Sequence, residues 1–527
     1  MSVETLPATW ASVEIEDVLL PYPNGKKIRQ GWSPQCEDHP AESHDDWAVL
    51  RTSAIQDGAF VDTENKKLPH SLKPRTQLEV LAGDILMTCA GPRARCGITC
   101  LVRSTRPRLL ISGKMYQLRA DPEIAERHFL ELFLRESRTK KKIDVMKTGI
   151  SDSGLNLTHD RFRTLTIPLP PLPEQKRIVA KIEELFSELE AGEESLLVAR
   201  RQLGIYRQSL LKQAFEGNLT AKWRTQNPAK LESPAILLAR IQSARQSRYE
   251  QQIKEWDAAM REWEKSGESD RKPPRPTLSP SSKVTSGDFS IPDSWAWTNL
   301  GNLKLFSLYG PRFSSDDYTE TGVCVLRTSD IGESGKVNLG TAPRLKLSRT
   351  ELYKYRCDKG DLLITRTGSL GTLAVFNDDV DSIPGAYLIH YRLASAGYAT
   401  YLYHFLKGPV GQAALTGGGA GIGRPNLNAP TIEAIPIPFC SLPEQQQIVR
   451  LLDEQFEVIE RNERQIDSAL RSSEALCQAI LKKAFTGRLV PQDPADEPAS
   501  KLFARLRAER IIDSKSGGRV RKPSAAL

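Results

Sequence analysis

The sequence predicts an α+β protein: two mixed α/β domains separated by two long antiparallel coiled-coil helices, forming a pseudo-two-fold tandem repeat. Three observations carry this expectation. The stretch "LPEQKRIVAKIEELFSELEAGEESLLVARRQLGIYRQSLLKQAFEG" (Leu172 to Gly217) returns as "LPEQQQIVRLLDEQFEVIERNERQIDSALRSSEALCQAILKKAFTG" (Leu442 to Gly487) without a gap. Each copy follows a longer stretch of short β-branched runs bounded by Gly, Asp and Pro. Between the halves lies a segment of proline, serine and charge that could pack no core.

The elements follow in order. The first block, residues 1–170, opens on "LPATWASVEI" and carries "VLRTSAI" and "GDILMT". Residues 171–265 hold the first long helix and its continuation, and residues 266–290 read as a linker. The second block, 291–440, repeats the signals in the same order as "IPDSWAWTNL", "VLRTSDI" and "GDLLIT". The second helix and its continuation occupy 441–512, where "PASKLFARL" echoes the earlier "SPAILLARI". Residues 513–527 form a basic tail expected to be disordered. Near each helix start the match is close: Asn156-Leu157 with Asn426-Leu427, and Ile167-Pro168 with Ile437-Pro438. A repeat of this length makes the chain a duplication of one block-plus-helix unit.

The helices explain themselves. Ile178, Ile182, Leu185, Leu189, Leu196, Leu203 and Leu210 fall at heptad spacing in the first copy. Ile448, Leu452, Ile459, Ile466, Leu476 and Ile480 do so in the second, with Gln455, Asn462 and Ser473 as polar seam positions. Pro173 and Pro443 sit in the first turn, where a missing N–H costs nothing, and Gly217 and Gly487 sit where each helix should stop. At 1.5 Å per residue each helix should run roughly 65 Å. One such helix exposes a long apolar stripe, whereas two copies in one chain can bury their stripes on each other, antiparallel, with a block at either end.

Composition limits the function. The chain has 527 residues, net charge +8 and pI about 8.9. That balance suits an anionic partner without requiring one. There is no run of eighteen apolar residues and no basic-then-apolar leader, so a cytosolic protein with no membrane span is expected. The eight cysteines form no CxxC; Cys89, Cys96 and Cys100 have no histidine at ligand spacing, so no metal site is expected. No GxxxxGK[ST], no HExxH and no methyltransferase-type Asn-Pro-Pro-aromatic motif occurs, "NPAK" lacking the second proline and the aromatic. No catalytic residue is assigned.

Two similar heads on a rigid spacer suit a ligand that is itself repetitive, and double-stranded DNA is the leading candidate. Basic or glycine-rich loops recur in both blocks. The first offers Lys26, Lys27, Arg29, Gln30 and Trp32, then Arg93 and Arg95, then Lys147. The second offers Tyr309 and Arg312, then Arg366 and Ser369, then Arg424 and Asn426. Arg and Gln can read base edges bidentately, while Lys and backbone N–H groups hold phosphates. The competing readings are an enzyme with an unrecognised site and a coiled-coil scaffold that reads no sequence.

With its paired "LPEQ" helices, its "LPATW"/"IPDSW" openings and the segment "GDLLITRTGSLG", the chain resembles the specificity subunit of type I restriction-modification enzymes over nearly its whole length. The first copy, "GDILMTCAGPRARCG", departs from that segment. The resemblance implies that each block is a target recognition domain for one half of a bipartite, asymmetric DNA site. It also implies that the helices set the spacer and hold two modification (methyltransferase) subunits, to which restriction subunits add. S-adenosylmethionine, ATP and Mg would belong to those partners, with no cofactor bound by this chain, a non-catalytic DNA-recognition subunit in host defence.

Overall fold

The computed structural model describes residues 6–149, 151–265, 275–276, 278, 282–332, 335–367, 371–417 and 427–515. The chain divides into two compact units, Met1–Leu197 with Asp467–Leu527, and Val198–Ile466. The boundaries fall inside the two long helices, Leu172–Phe215 and Leu442–Phe485. Each unit therefore owns one block, the start of the helix that follows it, and the end of the other helix.

In the first unit the central sheet is antiparallel, in the order Ile28–Gln30, Met115–Leu118, Ile85–Thr88, Thr99–Leu101. Ile85 to Thr88 are all buried, so this strand is packed on both faces and reads as a continuous apolar run rather than an alternating one. A second sheet joins Asn65–Lys67, Ala48–Leu50 and Leu109–Leu110. The opening strand Ala11–Glu14 pairs with Thr166–Leu169 just before the long helix.

The second unit repeats this plan. Its central sheet runs Lys304–Tyr309, Leu388–Leu393, Asp361–Thr365, Leu373–Phe376, again antiparallel throughout. The smaller sheet joins Arg344–Leu345, Val323–Leu326 and Ser382–Pro384, and Ala296–Asn299 pairs with Pro436–Phe439. The correspondence extends to buried charge. Asp84 accepts from Gln117 and from Arg119 Nε at 2.6 Å; Asp361 contacts His390 Nε2 at 2.6 Å and accepts from Arg392 Nε at 3.0 Å. Burial alone would raise the Asp361 carboxyl, but His390 and Arg392 hold it below the usual carboxylate range.

The "LPEQ" motif locks each helix to its block. Glu174 accepts from Trp10 Nε1 at 3.1 Å, and Glu444 accepts from Trp295 Nε1 at 3.0 Å. Gln175 donates to the Pro170 carbonyl and Gln445 to the Cys440 carbonyl, at 2.9 and 2.8 Å. The far ends are equally specific. Gly487 has φ +70°, and a Cβ there would lie 2.4 Å from Pro7; Gly217 has φ +75° and would meet Pro292 at the same distance. Thus the tryptophan and the proline of "LPATW" each greet a different long helix.

Helix pairing is antiparallel within each unit. In the first, Ile178 and Ile182 share a core with Ile480, Leu481, Ala484 and Phe485. The Phe485 ring meets Phe129 and Phe133 edge-on at 5.2 and 5.4 Å. In the second, Leu210, Leu211 and Phe215 join Ile448, Leu452 and Ile459, and Phe215 meets Tyr401 and Phe405. Tyr206 donates its hydroxyl proton to Gln455 at 3.3 Å.

Two expectations need correction. Of the seam positions, Ile178, Ile182, Leu210, Ile448, Leu452, Ile459, Ile466 and Ile480 are buried, while Leu185, Leu189, Leu196 and Leu203 are half-buried. Leu476, however, is 49% exposed. At 100° per residue a position three beyond buried Ser473 lags the seam by about 60°, whereas four beyond leads by only about 40°. Half-buried Cys477 therefore takes the place expected for Leu476. Second, part of the expected linker is packed. Ser282 N–H donates to Asn302 Oδ1 at 2.9 Å, and the Phe289 ring lies 4.9 Å from Trp297. Two apolar rings and paired amides stabilise this stretch despite its composition. Among the described residues no helix is long and apolar enough to cross a membrane.

Candidate nucleic-acid interface

Both central sheets end in a cluster of the expected contact residues. In the first unit, Lys26, Lys27, Arg29 and Gln30 line a cleft of about 660 Å³ with Gln77, His159 and Arg163. Lys26 is exposed, but its neighbours are engaged: Lys27 donates to the Glu16 carbonyl at 2.8 Å, and Arg29 donates to the Gln77 carbonyl while lying 3.5 Å over the Tyr22 ring. Gln30 donates to the Gly113 carbonyl at 2.7 Å. Burial, then the Lys26 charge, hold His159 below the ordinary imidazole range.

The other first-block candidates are dispersed. Arg93 pairs with Asp144 at 2.7 Å and Asp152 at 3.0 Å, and Lys147 pairs with Asp144 at 2.7 Å. Arg95 turns inward to the carbonyls of Thr52 and Ile55. Trp32 packs on the core of the smaller sheet beneath the Arg75 guanidinium. Cys89 and Cys96 lie in one core and Cys100 in another, so the three thiols form no single cluster.

In the second unit three loops meet at the sheet end. Tyr309 ends its strand, and its hydroxyl accepts from Ala429 N–H at 2.9 Å. The Arg366 guanidinium lies 4.7 Å over the Tyr309 ring. Arg312 points a guanidinium nitrogen at Tyr387 Oη, 3.5 Å away, and the Tyr387 side chain is 51% exposed. Ser369, Arg424 and Asn426 lie outside the described residues.

The sequence reading missed Tyr387, and also His159, Gln77 and Arg163. Tyr387 lies in the short "PGAY" turn before a strand, where an aromatic residue beside Gly and Pro was the only signal. The others come from segments distant in sequence that only the fold brings to the cleft.

The two ends share one backbone frame. Gly31 N–H donates to the Met115 carbonyl at 3.3 Å, and Gly310 N–H donates to the Leu388 carbonyl at 3.2 Å. A Cβ at either glycine would lie 2.2 Å from a carbonyl oxygen, so only glycine admits this close approach. What differs is the set of side chains that the frame carries. Donor-rich, partly aromatic loops on a fixed scaffold suit base edges and phosphates.

Comparison with known proteins agrees with this geometry. The sequence model of the type I restriction modification DNA specificity domain matches residues 60–198 and 309–471, more than half of the chain. The EcoEI specificity subunit of a type I restriction enzyme from Escherichia coli is 35% identical over 181 residues, covering 34% of this chain and 30% of that protein. The StySPI specificity subunit from Salmonella potsdam is 22% identical over 542 residues, covering 98% of this chain and 97% of that one. Among solved structures, the HsdS subunit from Thermoanaerobacter tengcongensis aligns with TM-score 0.51 and 19% identity over 93% of this chain and 99% of that one. A chain from work on complex assembly and conformational transition of the type I R-M system aligns with TM-score 0.61 and 20% identity, over 92% of this chain and 100% of that one. The two matched stretches, each running from a block into its long helix, cover more than half of the chain: it belongs to the type I restriction-modification DNA specificity family.

Proposed function

We propose that this chain is the address-reading subunit of a type I restriction-modification complex. Each block reads one half of a bipartite, asymmetric DNA site, and the paired helices set the spacer between halves. The helices and block faces hold two modification subunits, which use S-adenosylmethionine to methylate adenine. Restriction subunits, working with ATP and Mg, join that core. The chain itself binds no cofactor and acts in the cytosol, where it meets DNA. The observation that carries this reading is the matched sheet end: one backbone frame, built twice, with different side chains in each copy. Matched frames explain a two-part ligand, and unmatched side chains explain an asymmetric one.

The test is a modification map. The chain is co-expressed with its neighbouring modification subunit in a methylation-free host, and modified adenines are located by single-molecule sequencing. A single gapped, asymmetric motif is the expected outcome. Copurification without a motif would reduce the chain to a scaffold. Methyl transfer by the purified chain alone would make it an enzyme and overturn the reading.

A further inference from the structure

One position of the repeat carries opposite chemistry in the two blocks. Cys89 follows the strand Ile85–Thr88, and Arg366 follows Asp361–Thr365. Cys89 N–H donates to the Lys114 carbonyl at 2.8 Å, and the Cys89 carbonyl accepts from Leu157 N–H at 2.8 Å. Arg366 N–H donates to the Tyr387 carbonyl at 3.0 Å, and the Arg366 carbonyl accepts from Leu427 N–H at 3.0 Å. The hydrogen-bond frame is the same, so the two residues are structural equivalents.

Their side chains are not. Cys89 is buried, and burial pushes its thiol up to about 12, which keeps it neutral. Arg366 places its guanidinium over the ring of Tyr309, 4.7 Å from its centre, and the Tyr309 hydroxyl accepts from Ala429 N–H. Its Nε is buried without a hydrogen-bond partner among the described residues. By contrast Arg29, Arg93 and Arg95 are all engaged by carbonyls or carboxylates of their own block. A planar fork of donors, placed over an aromatic ring and with its Nε without an acceptor among the described residues, fits a ligand edge that offers two coplanar acceptors. In duplex DNA that edge is the O6/N7 side of guanine in the major groove.

We propose that Arg366 selects a guanine in the half-site read by the second block, and that the first block, with Cys89 at the equivalent position, makes no such contact. The proposal rests on the two-reader function above and names the chemistry of one of its readers.

The experiment uses the full chain in complex with its modification subunit. The probes are duplexes carrying the mapped motif and variants in which each base pair is replaced in turn. The second block's half is the one left unchanged when residues 1–170 are exchanged. Wild type should lose roughly 10- to 100-fold in affinity when one G·C pair of that half is replaced. Arg366→Ala should lose that discrimination and keep it at every position of the other half, while Arg366→Lys, whose ammonium still reaches O6 and N7 without the rigid fork, should keep only part of it. Discrimination retained in full by Arg366→Ala would overturn the assignment. Weakening spread evenly over all probes, with a salt slope lower by about one, would mark a phosphate contact and overturn it as well. If the wild-type complex yields no gapped motif, the two-reader function fails and the assignment falls with it.

Discussion

Glu131 shows how one buried group sets a pH dependence. It is 4% exposed on the helix Arg127–Arg135, with Arg135 at 3.5 Å but no hydrogen bond to its buried Oε1. Burial, aided by the Asp57 charge and opposed by Arg135, raises its pKa from 4.5 to about 7. The folded state thus holds this proton more tightly than the unfolded chain does. Stability of the first unit should be greatest below about pH 4.5 as far as this group is concerned, and should fall as pH rises from there through about 7. The full span amounts to about 3 kcal/mol. Glu131→Gln should abolish this dependence and raise the melting temperature at pH 8, read by calorimetry across pH 5 to 8. An unchanged pH slope in the variant would assign the effect elsewhere.

At the level of elements, the long helices act as core material for the blocks as well as partners for each other. Phe485 ends the second long helix yet sits between Phe129 and Phe133 of the first block. Phe485→Ala should cost about 3–5 kcal/mol, and the loss should appear as faster amide exchange in the first unit while the second keeps its protection. If the helices set the spacer, inserting seven residues near Gly192 should lengthen the gap in the methylated motif or abolish assembly. An active complex with an unchanged gap would count against that role. These helices were the most legible part of the sequence, because heptad spacing and the Pro and Gly stops are local signals. Leu476 was misplaced because a fixed three-four alternation drifts from a straight helix. The Trp10–Glu174 lock was not legible, because it joins residues 164 positions apart.

For the molecule as a whole, the proposed two-reader function predicts that each block is an exchangeable part. Replacing residues 1–170 with the equivalent block of a relative should change one half of the methylated motif and leave the other intact, as read by the same modification map. A change in both halves would mean that the blocks do not read independently. The repeat, the block order and the basic loops were evident from sequence alone. Which loop residues are engaged within their own block was not, because Arg29, Arg93, Arg95 and the equally basic Lys147 carry the same charge as Arg366 in a string of letters. Only the fold supplies the carbonyls and carboxylates that occupy them.

The interleaved helix ends also fix an order of completion during synthesis. The second unit is one continuous span, Val198–Ile466, whereas the first needs Asp467–Leu527 as well. Trp10 and Ile15 share their core with Phe485, Ala499 and Leu506. The domain translated first is therefore the last to close, waiting roughly twenty seconds to a minute for its missing wall. A chain released before Asp467 lacks Phe485, Ala499 and Leu506, and its first unit is left without that part of its core.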